Sequence, residues 1–276
     1  MEEIRTVIAS FYRLMLLREP DEPGLNAYTS LVSNGELSLS EVLSRFLGSD
    51  EFKANLDAFQ ARYADPSRAR FIQDVSQFGE VSLLIKRIVN DTNPFHIVVD
   101  VGVRGREGSN SYDLMRHFGW RGLLIEANPH LAPSINEEFA GLPFTLVSAA
   151  VSDYTGEAEF YLGTNDAISS LNQDAAAGWG PIRGRIRVPV RHLPDILAEH
   201  SIPFFFELLS LDIEGEDIKV LNDLIDRSSY RPKWVIIEAS YDFRTTSLTD
   251  LPFSPQVVAT YEIAERTQAN LLLSRR

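Results

Sequence analysis

Apolar and polar positions follow two different rhythms along the chain. Up to about residue 70, apolar residues recur every three to four positions, in "VIASFYRLMLL" and "SEVLSRFLGSDEF". That is the period of one helix face. "REPDEPG" and "SNGE" interrupt the pattern with turn residues. Ser40, before Glu41 and Val42, reads as a helix N-cap. "ADPSRAR" then marks a linker, because Pro66 disfavours helix in the residue before it. From about residue 71 a helix, "FIQDVSQFGEVSLLIKRIV", precedes five short apolar runs: "HIVVDVGV", "GLLIEA", "PFTLVSAAVS", "FFELLSLDI" and "KWVIIEAS". Helical stretches such as "GEDIKVLNDLIDR" separate most of them. Unalternated apolar runs between helices predict a parallel sheet covered on both faces. The chain ends in "TYEIAE", "TQ" and "ANLLLSRR", two strands with a short break, which predict an antiparallel pair closing the sheet. The expected organisation is an all-helical domain over residues 1–70 and an α/β domain over 71–276.

Composition narrows the class. The chain has 276 residues, 44% hydrophobic and 24% charged, which suits one large domain or two smaller ones. A net charge of −13 argues against nucleic acid as a partner, since such proteins carry a basic face. One local basic run, "IRGRIRVPVRH", stands against that trend. The absence of cysteine excludes disulfides, zinc–thiolate sites and thiol nucleophiles. The N-terminus lacks the pattern of a secretory signal, and no apolar run reaches the ~20 residues of a membrane span. A soluble, cytoplasmic protein without a transmembrane segment is expected.

In a doubly wound sheet, ligands bind beyond the carboxyl ends of strands. The first strand ends in Asp100, followed by Gly102, Val103 and Arg104; Gly105 and Gly108 repeat at three-residue spacing. Ser109, Asn110 and Ser111 are placed to cap a helix from near Tyr112. This is neither "GxxxxGK[ST]" nor a clean "GxGxxG", so a P-loop nucleotidase is disfavoured. Glu126 ends the second strand, 24 residues after Gly102. An acid there accepts hydrogen bonds from unphosphorylated ribose hydroxyls, which NAD and S-adenosylmethionine share. Asp212 sits at the end of the apolar run "LLSLDI", where an acid needs a reason. It suits a hydroxyl-orienting group, a general base or an oxygen ligand for a divalent metal such as magnesium. Glu238 ends the fifth strand in the same way and is a second candidate ligand. Glu216 and Asp217 suit the start of the next helix through its dipole.

"VVDVG…EGSNSYDLMRHFGWRGLLIEANP", "SAAVSDYTGEAEFY", "LLSLDIEGEDIKVL" and "WVIIEAS" resemble, in order and spacing, the FkbM family of S-adenosylmethionine-dependent methyltransferases, over roughly residues 75–276. The resemblance implies the class I, Rossmann-like fold, a seven-stranded, mostly parallel sheet with a reversed last strand. It implies that Gly102, Val103 and Arg104 pass under the methionine part of the cofactor, within a loop that also contains Asp100, Ser109 and Asn110. It places the ribose on Glu126, with Ala127 and Asn128 near the adenine and Ser148 and Ala149 flanking it. Asp212 would lie by the methionine amino group or the methyl acceptor. Many members read "DVGAN" where this chain has "DVGVR", and lysine where it has Ser210. The family methylates mostly hydroxyl oxygens, often on sugars of glycans, glycolipids or natural products. The stretch "FYRLMLLREPDEPGLNAYTSLVSNGELSLSEVLSRFLGSDEF" separately resembles a small helical bacterial module of unknown function, marked by Arg18, Asp21, Gly24 and Tyr28. Arg18 and Asp21 are expected to form a structural pair, and the helices to support protein or glycan contacts or a homo-oligomer.

Transfer from a sulfonium needs an aligned nucleophile and a base. Asp212 is the first choice of base, with Glu238 and His130 as further catalytic candidates. Residues 165–185, long and bearing Trp179, are expected to cover the acceptor. The alternatives are an NAD-dependent sugar-modifying oxidoreductase, which would want "GxGxxG" and a "YxxxK" relay, and a non-catalytic scaffold.

Overall fold

The structure is a computed structural model that describes residues 1–16, 18–52, 74–88, 95–164, 169–178, 180–239 and 247–276. It separates into two compact units, Met1–Asp74 with Ser82–Thr92, and Val75–Val81 with Asn93–Arg276. The linker "ADPSRAR" lies outside the described residues.

In the first unit, α1 (Glu2–Met15), α2 (Glu22–Ser33) and α3 (Leu39–Gly48) bury Ile8, Phe11, Tyr12, Leu25, Val42 and Phe46 against one another. Asp21 caps α2 by accepting from the Gly24 amide at 2.8 Å. A Cβ on Gly24 would crowd the Tyr12 hydroxyl and the Asp21 carboxylate, so a larger residue there must displace them. Arg18 bonds Asp21 (3.3 Å) and Glu51 (2.6 Å) and lies over the Tyr12 ring, so the expected structural pair is a three-residue clamp. The cap of α3 is Ser38, with Glu41 completing a capping box, rather than Ser40. The capping box begins the helix at Leu39, which puts Ser40 inside its first turn.

The second unit is built on a seven-stranded sheet. α4 (Glu80–Ile88) has Glu80 and Val81 in this unit and its residues from Ser82 in the first. After it come β1 (Ile97–Val101), α5 (Tyr112–Phe118), β2 (Arg121–Glu126), α6 (Ala132–Glu138), β3 (Phe144–Ser148), β4 (Ala150–Val151), β5 (Gly156–Leu162), α7 (Gln173–Ala177), β6 (Gly184–Arg191), α8 (Leu193–Glu199), β7 (Leu208–Leu211), α9 (Asp217–Arg227), β8 (Trp234–Glu238), α10 (Pro255–Thr260), β9 (Tyr261–Arg266) and β10 (Asn270–Arg275). The strand order is β3-β2-β1-β7-β8-β10-β9. β1, β2, β3, β7 and β8 pair in parallel, while β10 runs antiparallel between β8 and β9. The reversed last strand and the terminal pair are as the sequence predicts. β1 and β7 are buried at every residue, the composition of a sheet covered on both faces.

Two features of this part of the chain depart from expectation. Among the described residues, the helix read over "FIQDVSQFGEVSLLIKRIV" begins only at Glu80, because Asp74 (φ +51°) and Gly79 (φ +83°) leave helical geometry. The third apolar run also divides. "PFTLVSAAVS" is two strands, not one. β3 ends at Ser148, and β4 joins β6 and β5 in a second, three-stranded sheet around Ala150, Phe160, Val188 and Val190. Three of the four "IRGRIRVPVRH" arginines lie on β6 and meet acids: Arg185 with Glu159 (3.1 Å), Arg187 with Glu157 (3.5 Å) and Arg191 with Glu199 (2.6 Å).

Candidate active site

From β1 the chain steps outward to β2 and β3, then returns to β7 on the other side of β1. The crevice therefore opens where β1 and β7 end, between Gly102 and Asp212. The Asp212 amide donates to Val101 (3.1 Å) and the Gly102 amide to Ile125 (2.9 Å), which ties three strand ends together. Gly102 has φ +91°, and a Cβ there would lie 1.8 Å from the Asp212 carbonyl oxygen. Only glycine fits both constraints.

The crevice has two parts sharing Gly102, Arg104, Asp212 and Glu214. The first is largely apolar, lined by Ile125, Ala127, Ala149, Phe160 and Leu171, with Glu126 at its edge. Glu126 is buried, accepts from the Asn128 amide at 2.6 Å, and is pushed up to about 7 by that burial. The second part is polar, bordered by Asp100, Ser109, Asn110, Ser210 and Glu238. Ser111 donates to Asp100 at 2.6 Å and Ser109 at 3.4 Å, yet burial still raises the Asp100 carboxyl. The Ser109 oxygen also accepts from the Ser111 and Tyr112 amides, so the cap of α5 comes from Ser109. Asn110 donates to Ser210 at 3.1 Å. Its Oδ1 is buried and has no partner among the described residues.

At the mouth, Asp212, Glu214 and Glu238 bring one carboxylate oxygen each within 4.8 Å of one another. The "LDIEGED" turn builds this convergence. Asp217 is buried and accepts from the Ile213 (2.9 Å) and Gly215 (3.0 Å) amides, a larger task than the helix dipole assigned it. Glu214 takes φ +55° and Gly215 φ +102°, which turns the Glu214 side chain back into the crevice. Burial and mutual repulsion raise all three carboxyls: Asp212 well above its ordinary value, Glu214 and Glu238 to about 7.

The expected residues divide. Asp100, Gly102, Val103, Arg104, Ser109, Asn110, Glu126, Ala127, Ala149, Asp212 and Glu238 border the crevice. Asn128 is buried beneath Glu126 and shapes the turn, accepting from the His130 amide at 3.1 Å. Ser148 faces away from the core on the sheet's edge strand, and His130 is exposed in the loop after β2; neither borders the crevice. Of the loop 165–185, Ser169 and Leu171 border the crevice, and Trp179 lies outside the described residues. Sequence reading missed Gln77 and Ser76, which border the polar part from upstream. It also missed Phe160, brought in by the second sheet.

A sheet of this order, with the reversed strand inside the terminal pair and a strand-end acid beside a glycine turn, is the Rossmann-like architecture of class I methyltransferases. Residues 96–254 match the family described as Methyltransferase FkbM domain, more than half the chain, and the chain belongs to that family. Residues 5–56 match a Domain of unknown function, DUF4214. No curated protein and no solved structure matches the chain. Among the described residues, no helix is long and apolar enough to cross a membrane.

Proposed function

We propose that this protein is an S-adenosylmethionine-dependent O-methyltransferase acting in the cytoplasm on a hydroxyl, of a sugar in a glycan, glycolipid or glycosylated natural product. The observation that carries the reading is a crevice with an apolar, acid-edged half and a polar half joined under Gly102. Its two halves fit the two halves of the cofactor. Glu126 suits the ribose hydroxyls, and Ala127, Ala149 and Leu171 suit the adenine face. The orphaned Asn110 Oδ1 suits the ammonium of the methionine end. When bound, the cofactor supplies a methyl group already activated on sulfur.

The chain's own residues then have two tasks. The crevice mouth aligns the acceptor oxygen behind that methyl. A carboxylate of the trio takes the proton of the acceptor hydroxyl, and the cofactor would supply the methyl group, with its sulfur as the leaving group. Asp212 is the proposed base, with Glu238 and Glu214 holding neighbouring hydroxyls. Burial raises the proton affinity of Asp212, which favours its taking the hydroxyl proton. The N-terminal helices serve contacts with protein, glycan or a second copy of this chain, apart from the chemistry.

The same three carboxylates support a second reading, a magnesium-type cation held by Asp212, Glu214 and Glu238 that orients the acceptor. Label transfer from the cofactor methyl to a panel of glycosides tests both. Alkali-stable label, expected for a methyl ether, supports the proposal, and label lost to mild alkali points to an ester instead. Activity that survives a chelator favours the carboxylate base, and activity lost to it and restored by magnesium favours the cation.

A further inference from the structure

Resting on the methyltransferase reading above, we infer that Gln77, upstream of the family-matched region, together with Arg104 binds the carboxylate of the cofactor's amino-acid end. Residues 75–81 precede the matched residues 96–254, yet they belong to the same compact unit. They are fastened at both ends. The Val75 amide donates to buried Asp113 (3.0 Å), the Gly108 amide donates to the Val75 carbonyl (2.7 Å), and Ser76 bridges Gly108. At the other end Glu80, 1% exposed, accepts from Thr267 and Asn270, each at 2.8 Å, and from the Phe78 amide at 2.9 Å. This strap runs along the glycine loop and walls the polar half of the crevice with Val75, Ser76 and Gln77.

A free amino acid end presents an ammonium and a carboxylate. Acceptors for the ammonium abound here, in Asp100, Asp212 and the Asn110 oxygen. The carboxylate needs donors, and most neutral side chains on this wall are already engaged. Ser109 and Ser111 serve Asp100, and Asn110 serves Ser210. Among the described residues bordering this half, Arg104 supplies the one cation, and Gln77 a neutral amide with two N–H donors. In a wall otherwise carrying Asp100, Glu107, Asp212, Glu214 and Glu238, a carboxylate can be accepted only beside them.

The test compares S-adenosylhomocysteine with 5′-methylthioadenosine, which shares the nucleoside and lacks the amino-acid end, by calorimetric titration of the full chain. Gln77→Ala should weaken S-adenosylhomocysteine about tenfold, the scale of a hydrogen bond to a charged group, and leave methylthioadenosine unchanged. Gln77→Glu, which sets a second carboxylate against the first, should weaken it further with the same selectivity. Unchanged S-adenosylhomocysteine affinity in Gln77→Ala overturns the inference alone, as does an equal loss for both ligands. Failure of the wild-type chain to bind either ligand overturns the methyltransferase reading on which the inference stands.

Discussion

Gly102 shows how much of the site rests on single residues. Its φ of +91° and the 1.8 Å approach of a hypothetical Cβ to the Asp212 carbonyl mean that Gly102→Ala must push β1 and β7 apart at their ends. The expected result is a melting temperature lower by about 5 °C or more, with loss of cofactor binding; an unchanged melting curve would show that the strand ends do not meet as described. The carboxyl trio makes a second prediction at this scale. Glu214 and Glu238 are raised to about 7 in the folded protein, against ordinary values near 4.5. Between those values the folded chain keeps protons that the unfolded chain has released, so their contribution to stability declines as pH rises through that window. Glu238→Gln should therefore melt above wild type at pH 8 and not at pH 5, and parallel pH profiles for the two proteins would contradict the packing. Glu126 and Asp212 were legible in the sequence because an acid ending an apolar strand is out of place. His130, offered as a catalytic candidate, is exposed after β2 and does not border the crevice.

Elements were legible where periodicity is local. The five parallel strands, the closing antiparallel pair and the N-terminal helices all follow from repeat length and turn residues. The second sheet was not, because β4 has two residues and its partner β6 lies beyond the whole of β5 and α7. The strap was equally hidden, since the apolar spacing carries the helix back to Phe71 and the Glu80 partners Thr267 and Asn270 are far along the chain. That buried network can be tested directly. Glu80→Ala removes the buried acceptor that Thr267 and Asn270 share, at a cost of about 1–3 kcal/mol. Amide exchange should then accelerate across residues 75–81 and at the β9–β10 turn together. Acceleration at only one of the two would mean that Glu80 does not join them.

Across the whole molecule, two compact units carry two different family matches, and the candidate crevice lies in one of them. The methyltransferase unit extends past its family-matched core on both sides, to the strap before residue 96 and the terminal strand pair after residue 254, and Glu80 links these two additions. The acceptor was not legible, because the trio and its surroundings say what a hydroxyl would meet and not which molecule bears it. The cofactor is the more decisive question. Calorimetric titration of the wild-type chain and Glu126→Ala with S-adenosylhomocysteine and with NAD answers it. The expected result is one molecule of S-adenosylhomocysteine bound per chain, weakened about tenfold or more by Glu126→Ala through loss of the ribose hydrogen bonds, with no binding of NAD. Binding of NAD alone, or of neither ligand, would contradict it.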